Sequence, residues 1–216
     1  MIYSLSERRP LKLICLGDSL TGPSPIGAFY LDKYLKWSNL LQFGLDAILG
    51  PGGAVVLNQG KAGEISGGAL ADLNARVLRH RPDIVIVLLG ANNFAPIRAN
   101  EATESDFRAD MLEIVQRLKA AGIRVLLLTY PDPRADSMDK VWTHANSGNR
   151  AVEQVAAHEG VELLPLKPAF DAAVSEKGLP PAALASPVDG IHLNPGGELV
   201  LAGAVLEKLR ALGWVS

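Results

Sequence analysis

Short apolar runs alternate with longer amphipathic stretches along the 216 residues of this chain. The apolar runs are rich in Val, Ile and Leu, as buried β-strands are, whereas the amphipathic stretches repeat with the period of a helix. We predict strands at 11–17, 54–57, 84–89, 123–129 and 161–164, and helices at 37–49, 67–79, 104–121, 142–159 and 195–212.

Five strands, each followed by a helix, indicate an α/β fold whose parallel sheet is covered on both faces. Asn194 followed by Pro195 is typical of a helix start, and Gly122 and Gly160 stand where helices should end. The length favours a single domain. In a parallel sheet the strand-to-helix loops open at one edge, so their polar residues should converge there.

Charge and composition exclude several classes of function. The formal net charge is −2, with acidic and basic residues interspersed, so we expect no nucleic-acid partner and no polybasic membrane contact. The apolar runs are too short to span a bilayer. The single cysteine, Cys15, lies inside the first predicted strand and cannot form an internal disulfide. The first ten residues lack the apolar core of a signal peptide, so we expect a cytoplasmic protein.

A candidate catalytic serine follows the first strand. Gly17-Asp18-Ser19-Leu20 places Ser19 at the edge where an open α/β sheet carries its chemistry. A serine nucleophile needs a base and a group that orients the base, and Asp189-Gly190-Ile191-His192 supplies both. The spacing of three residues would let the Asp189 carboxylate accept the imidazole N–H of His192 within one turn.

The loops after the second and third strands carry Gly63 and Asn92. A backbone N–H at a glycine and a side-chain amide are suitable donors for the oxyanion of a tetrahedral intermediate. Taken singly, each candidate has a structural interpretation: Ser19 as a helix cap, Gly63 as a turn glycine, Asn92 as a capping residue, and Asp189 with Gly190 as a turn. The catalytic interpretation is preferred because all four occur together and in this order.

This order of motifs resembles that of the GDSL esterases and lipases, also called SGNH hydrolases, over nearly the whole chain. The resemblance implies a flavodoxin-like three-layer α/β/α sandwich with a five-stranded parallel sheet, in one catalytic domain over 1–216. It also implies Ser19 as nucleophile, His192 as base and Asp189 as its orienting group. Ser19 and Gly63 would donate backbone N–H groups to the oxyanion, and Asn92 its side-chain amide.

Two positions depart from the family pattern. Asn93 stands where the third motif commonly has Asp, and Ile65 follows Glu64 where the second motif commonly has Thr. We expect both changes to weaken the support of the loops that carry Gly63 and Asn92, and to lower activity.

The predicted substrate is a short-chain ester, with an acetyl ester of a carbohydrate as one candidate. Two alternatives stay open: acyl transfer by the same residues, and a degenerate module that binds acylated ligands without turnover. Aromatic residues near the predicted loops are candidates for substrate binding. These are Phe29, Tyr30, Phe94, Tyr130 and Trp142.

No cofactor is expected. The remaining histidines, His80, His144 and His158, form no metal-ligand spacing with Cys or carboxylate residues, so we predict no metal. The Gly-x-Gly-x-x-Gly and Walker A patterns of nucleotide-binding proteins are absent from the sequence, as is the Gly-x-Ser-x-Gly elbow of α/β-hydrolases.

Overall fold

A parallel sheet of five strands lies at the centre of the computed structural model, which describes residues 9–23, 35–94, 103–131, 141–187 and 189–216. The strand order is β2-β1-β3-β4-β5, and every neighbouring pair is parallel. This is the flavodoxin-like order, in which the chain reverses its direction of winding between β1 and β3. The strands are β1 (Leu11–Gly17), β2 (Ala54–Gly60), β3 (Ile84–Leu88), β4 (Arg124–Thr129) and β5 (Glu162–Pro165).

Helices cover both faces of this sheet. They are α1 (Trp37–Leu49), α2 (Ser66–Ala71), α3 (Leu73–Arg76), α4 (Glu104–Ala120), α5 (Val141–Glu159), α6 (Lys167–Ser175) and α7 (Pro195–Ala211). Short 3-10 turns occur at Leu78–His80 and Pro181–Leu184. The predicted α/β class and three-layer arrangement are confirmed.

Alternation along the strands divides the core into two layers, because successive side chains point to opposite faces of a sheet. Leu13 and Cys15 of β1 face one layer, with α1, α6 and α7, whereas Ile14 and Leu16 face the other, with α2, α4 and α5. All four are fully buried. The first strand is therefore apolar from Leu13 to Leu16, where both of its faces are covered.

Two helical predictions are wrong in detail. The single helix predicted over 67–79 is interrupted at Asp72 and again at Val77, whose backbone angles (φ −126°, ψ −66°) leave the helical region. The α6 helix is absent from the predicted elements because Pro168, in its first turn, is a residue that also marks loops. The other strands and helices end within three residues of their predicted bounds.

A buried ion pair joins the starts of α1 and α7. The Lys36 ammonium lies 2.5 Å from the Glu198 carboxylate, and the exposures of the two residues are only 8% and 5%. The second carboxylate oxygen of Glu198 accepts the Trp37 N–H at 2.8 Å, which satisfies a backbone donor in the first turn of α1. The pair therefore anchors α7, which begins three residues after His192.

We expect Lys36→Met to destabilise the fold by about 3–5 kcal/mol, because it leaves the Glu198 carboxylate buried without a cation. Urea unfolding measures the change in the free energy of unfolding. The matched control is Lys167→Met, which removes an ion pair whose side chains are both more than half exposed. Equal losses in the two variants would contradict the prediction. If the unpaired Glu198 carboxylate causes the loss, Lys36→Met/Glu198→Gln should recover part of the stability, and failure to recover any would contradict that cause.

No described helix is both long enough and apolar enough to cross a membrane.

Candidate active site

Ser19 lies in a tight turn immediately after β1. The Asp18 carbonyl accepts hydrogen bonds from the N–H groups of Thr21 (3.1 Å) and Gly22 (2.8 Å), which closes the turn. Asp18 and Leu20 are buried, but Ser19 between them is partly exposed. The turn thus presents the serine hydroxyl at the carboxyl edge of the sheet, where the order of winding reverses.

A continuous chain of hydrogen bonds links Ser19, His192 and Asp189. His192 Nε2 lies 2.9 Å from Ser19 Oγ, and His192 Nδ1 lies 2.7 Å from Asp189 Oδ2. An ionised carboxylate can only accept, so the proton of this imidazole belongs on Nδ1. Nε2 is then free to accept the proton of the serine hydroxyl.

The Asp189 carboxylate is held by its own loop. Its Oδ1 accepts the N–H groups of Ile191 (2.9 Å) and His192 (3.0 Å), while Oδ2 faces the imidazole. Burial favours the neutral acid, but these hydrogen bonds outweigh it and hold the pKa of Asp189 below its ordinary value. Asp189 is therefore a carboxylate over the whole range in which a histidine can act as a base.

Asn92 approaches the same edge from the loop after β3. Its Nδ2 donates to the Glu64 carbonyl at 3.1 Å and makes a longer contact of 3.5 Å with Asp18 Oδ2. The first bond fixes the amide beside the loop that carries Gly63. The second N–H is only weakly engaged, since 3.5 Å lies at the limit of a hydrogen bond.

The loop after β2 is shaped by two glycines. Gly63 adopts a φ of 73°, a left-handed conformation that side chains with a Cβ rarely adopt. Gly60 packs backbone to backbone on the serine turn, because a methyl group there would lie 2.0 Å from the Gly22 nitrogen. The amide of Asn58 donates to the Thr21 carbonyl at 2.7 Å and ties the same two segments together.

A buried ion pair between Glu64 and Arg76 holds this loop against α3. The Glu64 carboxylate, in a residue 4% exposed, pairs with the guanidinium of Arg76, which also donates to the Gln59 carbonyl. The backbone on either side of Gly63 is thereby joined to α3. An arginine suits this position because its planar fork can reach a carboxylate and a carbonyl together.

Asn93 is well supported, and the expectation of weakened support at this position is wrong. Its Oδ1 accepts the Ser66 N–H at 3.1 Å, and its Nδ2 donates to Ser66 Oγ at 2.9 Å. Ser66 Oγ in turn donates to Asp110 at 2.6 Å. An amide both donates and accepts, so Asn93 closes a reciprocal pair with Ser66. Ile65, by contrast, precedes α2 without a side-chain cap.

The candidate substrate-binding residues differ in where they lie relative to the site. Phe94 is partly buried and packs edge to face on Phe107, with ring centroids 5.2 Å apart. Tyr130 is only 1% exposed and its hydroxyl donates to Asp18 at 2.5 Å, so the structure places it beneath the serine turn and not on an open wall. Phe29 and Tyr30 lie outside the described residues, as does the side chain of Trp142, a residue of α5.

Sequence reasoning missed the polar residues that hold the site together. Asp18 and Asn58 directly follow predicted strands, which is a signal that marks them as candidates, and Glu64 lies in the loop next to Gly63. Among the residues that the structure describes, no three His, Cys, Asp or Glu side chains are grouped so as to hold a metal ion.

Comparisons with known proteins agree on one family. Residues 15–199 match the model of the GDSL-like Lipase/Acylhydrolase family. An acetylxylan esterase from Geobacillus stearothermophilus is 26% identical over 94% of this chain and 95% of its own, and an arylesterase from Vibrio mimicus is 26% identical over 95% and 92%. The crystal structure of an acetylxylan esterase from G. stearothermophilus superposes with a TM-score of 0.74 at 24% identity, covering 95% of this chain and 96% of that one. The chain therefore belongs to the GDSL-like lipase/acylhydrolase family and is a serine ester hydrolase.

Proposed function

We propose that this protein hydrolyses short-chain esters, acetyl esters of a carbohydrate in particular, through an acyl-Ser19 intermediate. The observation that carries the proposal is the unbroken hydrogen-bonded sequence from Ser19 Oγ through His192 to Asp189. A serine hydroxyl is a poor nucleophile at neutral pH and needs such a base in direct contact.

Acylation begins when Ser19 Oγ attacks the ester carbonyl carbon and His192 Nε2 takes the serine proton. The resulting imidazolium is stabilised by Asp189 and then gives its proton to the departing alcohol oxygen. In the second half, His192 takes a proton from water, the hydroxide attacks acyl-Ser19, and the proton returns to the serine oxygen as the acid leaves.

Negative charge on the tetrahedral oxygen is met by three donors: the N–H groups of Ser19 and Gly63, and the amide of Asn92. The Asn92 amide suits this role because its bond to Glu64 fixes its plane while its other N–H makes only a 3.5 Å contact. That N–H can be donated to an oxyanion that lies in the same plane, at little cost in lost hydrogen bonding.

The substrate class is supported by the names of the relatives. One is an acetylxylan esterase and the other an arylesterase, and both are matched over more than nine-tenths of this chain. The first name describes an acetyl ester of a sugar, and the second describes an ester of a phenol. The first name therefore supports the acetyl group in the proposal, and both support an ester substrate.

The test measures acetate released from acetylated xylo-oligosaccharides, and nitrophenol released from p-nitrophenyl acetate and p-nitrophenyl octanoate. We expect the wild type to prefer acetyl to octanoyl esters and Ser19→Ala to lose activity on all of them. Ser105→Ala, at an exposed position on α4, is the matched control. A preference for octanoate, or equal rates for wild type and Ser19→Ala, would overturn the proposal. Transfer of the acetyl group to an added sugar in preference to water would replace hydrolysis by acyl transfer.

Asn92→Ala should lower kcat by about 10²–10³-fold with little change in KM, because it removes a donor used mainly in the transition state. Steady-state kinetics on p-nitrophenyl acetate measure the change. Asn74→Ala, on the exposed side of α3, is the matched control. Wild-type turnover by Asn92→Ala would remove Asn92 from the oxyanion site.

A further inference from the structure

The hydroxyl of Tyr130 lies between two of the loops that form the active site. It donates to Asp18 Oδ2 at 2.5 Å, in the residue next to Ser19. The Asp18 oxygen that accepts this bond also faces the Asn92 amide at 3.5 Å. The phenol therefore holds an oxygen that lies between the neighbour of the candidate nucleophile and the candidate oxyanion amide.

Asp18 connects the Tyr130 hydroxyl to the serine turn and to Asn92. Its Oδ1 accepts the Leu20 N–H at 2.9 Å, which fixes the far side of the serine turn, and its Oδ2 faces the Asn92 amide at 3.5 Å. Asp18 is fully buried, so the carboxylate depends on these donors for its stability. Tyr130 is the hydroxyl donor among them and makes the shortest contact.

The backbone of Tyr130 is itself clamped. Asn149 of α5 accepts the Tyr130 N–H at 2.7 Å and donates to the Tyr130 carbonyl at 3.2 Å. Tyr130 is therefore held at its backbone by a helix and at its hydroxyl by the serine turn. A ring fixed at both ends can determine the positions of what it touches.

The electrostatics favour the phenol as a permanent donor. Burial and the neighbouring Asp18 carboxylate raise the pKa of Tyr130 well above its ordinary value, so the hydroxyl keeps its proton at every working pH. A buried carboxylate this close to Asn92 would oppose negative charge on the substrate oxygen. A strong hydrogen bond from Tyr130 to the Asp18 oxygen that faces Asn92 draws part of that charge toward the phenol.

We propose that Tyr130 is a positioning residue: by holding the Asp18 carboxylate, its hydroxyl sets the relative positions of Ser19 and Asn92 that the transition state requires. This inference rests on the proposed ester-hydrolysing function. A purely structural tyrosine would contribute to stability alone, whereas a positioning tyrosine also affects turnover.

Tyr130→Phe tests the inference because it removes only the hydroxyl. We expect kcat on p-nitrophenyl acetate to fall roughly 10- to 100-fold, with KM changed by less than about twofold, as for a small misplacement of reacting groups. Gln42→Leu is the control: Gln42 makes two hydrogen bonds between α1 and the start of β2, at the opposite end of the sheet, and one to Asp46 within α1, so its loss affects stability alone. The control should have a lower melting temperature and an unchanged kcat.

A double-mutant cycle shows whether Tyr130 acts through Asp18. If it does, Tyr130→Phe added to Asp18→Asn should slow turnover by less than about twofold, because the contact is already altered. Independent, multiplicative losses would overturn the inference, as would a wild-type kcat in Tyr130→Phe. Should Tyr130→Phe fail to fold, Asn149→Ala loosens the same ring while keeping the hydroxyl, and it must lower kcat with KM unchanged for the inference to stand.

An alkyl fluorophosphonate separates this inference from the choice of ester substrate. Ser19 Oγ forms a bond to phosphorus, fluoride leaves, and His192 takes the serine proton, while the phosphoryl oxygen occupies the oxyanion site. Tyr130→Phe should be labelled more slowly than wild type by a factor similar to its loss in kcat. Rapid labelling of the wild type without acetyl-ester hydrolysis would contradict the proposed substrate. The labelling rate of Tyr130→Phe would still test the positioning role. Equal labelling rates for wild type and Tyr130→Phe would overturn the positioning role.

Discussion

His192→Ala should lower kcat for ester hydrolysis by roughly 10⁴–10⁶-fold. Only Ser19→Ala should lower kcat by as much. His192 Nε2 lies 2.9 Å from Ser19 Oγ, and no other base is in hydrogen-bond contact with that oxygen among the described residues. Without the imidazole, the serine proton must go to water, and the leaving alcohol must depart without a general acid. Stopped-flow or steady-state release of nitrophenol measures the loss.

The control for this experiment is His158→Ala, since the His158 side chain is 70% exposed on α5. Circular dichroism should show both variants folded. Added imidazole should restore part of the activity of His192→Ala, because the cavity left by the side chain faces Ser19. More than about a tenth of wild-type activity in His192→Ala would contradict the assignment of the base.

Asp189→Asn should lower kcat by about 10⁴-fold while preserving the shape of the loop. The carboxylate accepts the Nδ1 proton at 2.7 Å, whereas the amide can present an N–H there and favour the tautomer whose proton is on Nε2. A protonated Nε2 cannot accept the Ser19 proton. The test measures kcat of Asp189→Asn beside Asp171→Asn, an exposed position on α6. A loss of less than tenfold would show that Asp189 does not set the tautomer.

The lowered pKa of Asp189 predicts that stability depends on pH, and Asp189→Asn tests this. The folded-state pKa of Asp189 lies below its ordinary value, so its ionisation stabilises the fold above the unfolded pKa of about 3.9. That contribution is lost as the pH falls through the folded-state pKa. The wild type should therefore exceed Asp189→Asn in unfolding free energy near neutral pH, and the difference should shrink in acid. A difference that grows in acid would contradict the lowered pKa.

The sheet could be predicted because all of its strands carry a local signal. β1, β3 and β4 are apolar runs covered on both faces, and their bounds follow from composition alone. The interruption of the helix predicted over 67–79 has no such signal. Leu73 and Val77 keep a helical spacing and both are buried. The apolar pattern of a helix therefore continues beyond the point at which the backbone stops being helical.

The candidate catalytic residues could be located because each follows a strand or precedes a helix in a recognisable order. Their supports could not, because they depend on tertiary contacts. The Tyr130 hydroxyl reaches Asp18 across 112 positions of sequence, and Lys36 reaches Glu198 across 162. Asn93 was misjudged because a family pattern does not reveal that Ser66 offers both a donor and an acceptor to the amide.

The decisive measurement is the location of the acyl group during turnover. Wild type and Ser19→Ala are mixed with p-nitrophenyl acetate, quenched in acid within one turnover, and digested for peptide mass spectrometry. Nitrophenol is a good leaving group, so acylation should outrun deacylation and the acetyl-enzyme should accumulate. We predict acetyl on Ser19 in the wild type and neither acetyl-enzyme nor rapid nitrophenol release in Ser19→Ala. Acetyl on a different residue, or the same release of nitrophenol from both proteins, would contradict a Ser19 nucleophile.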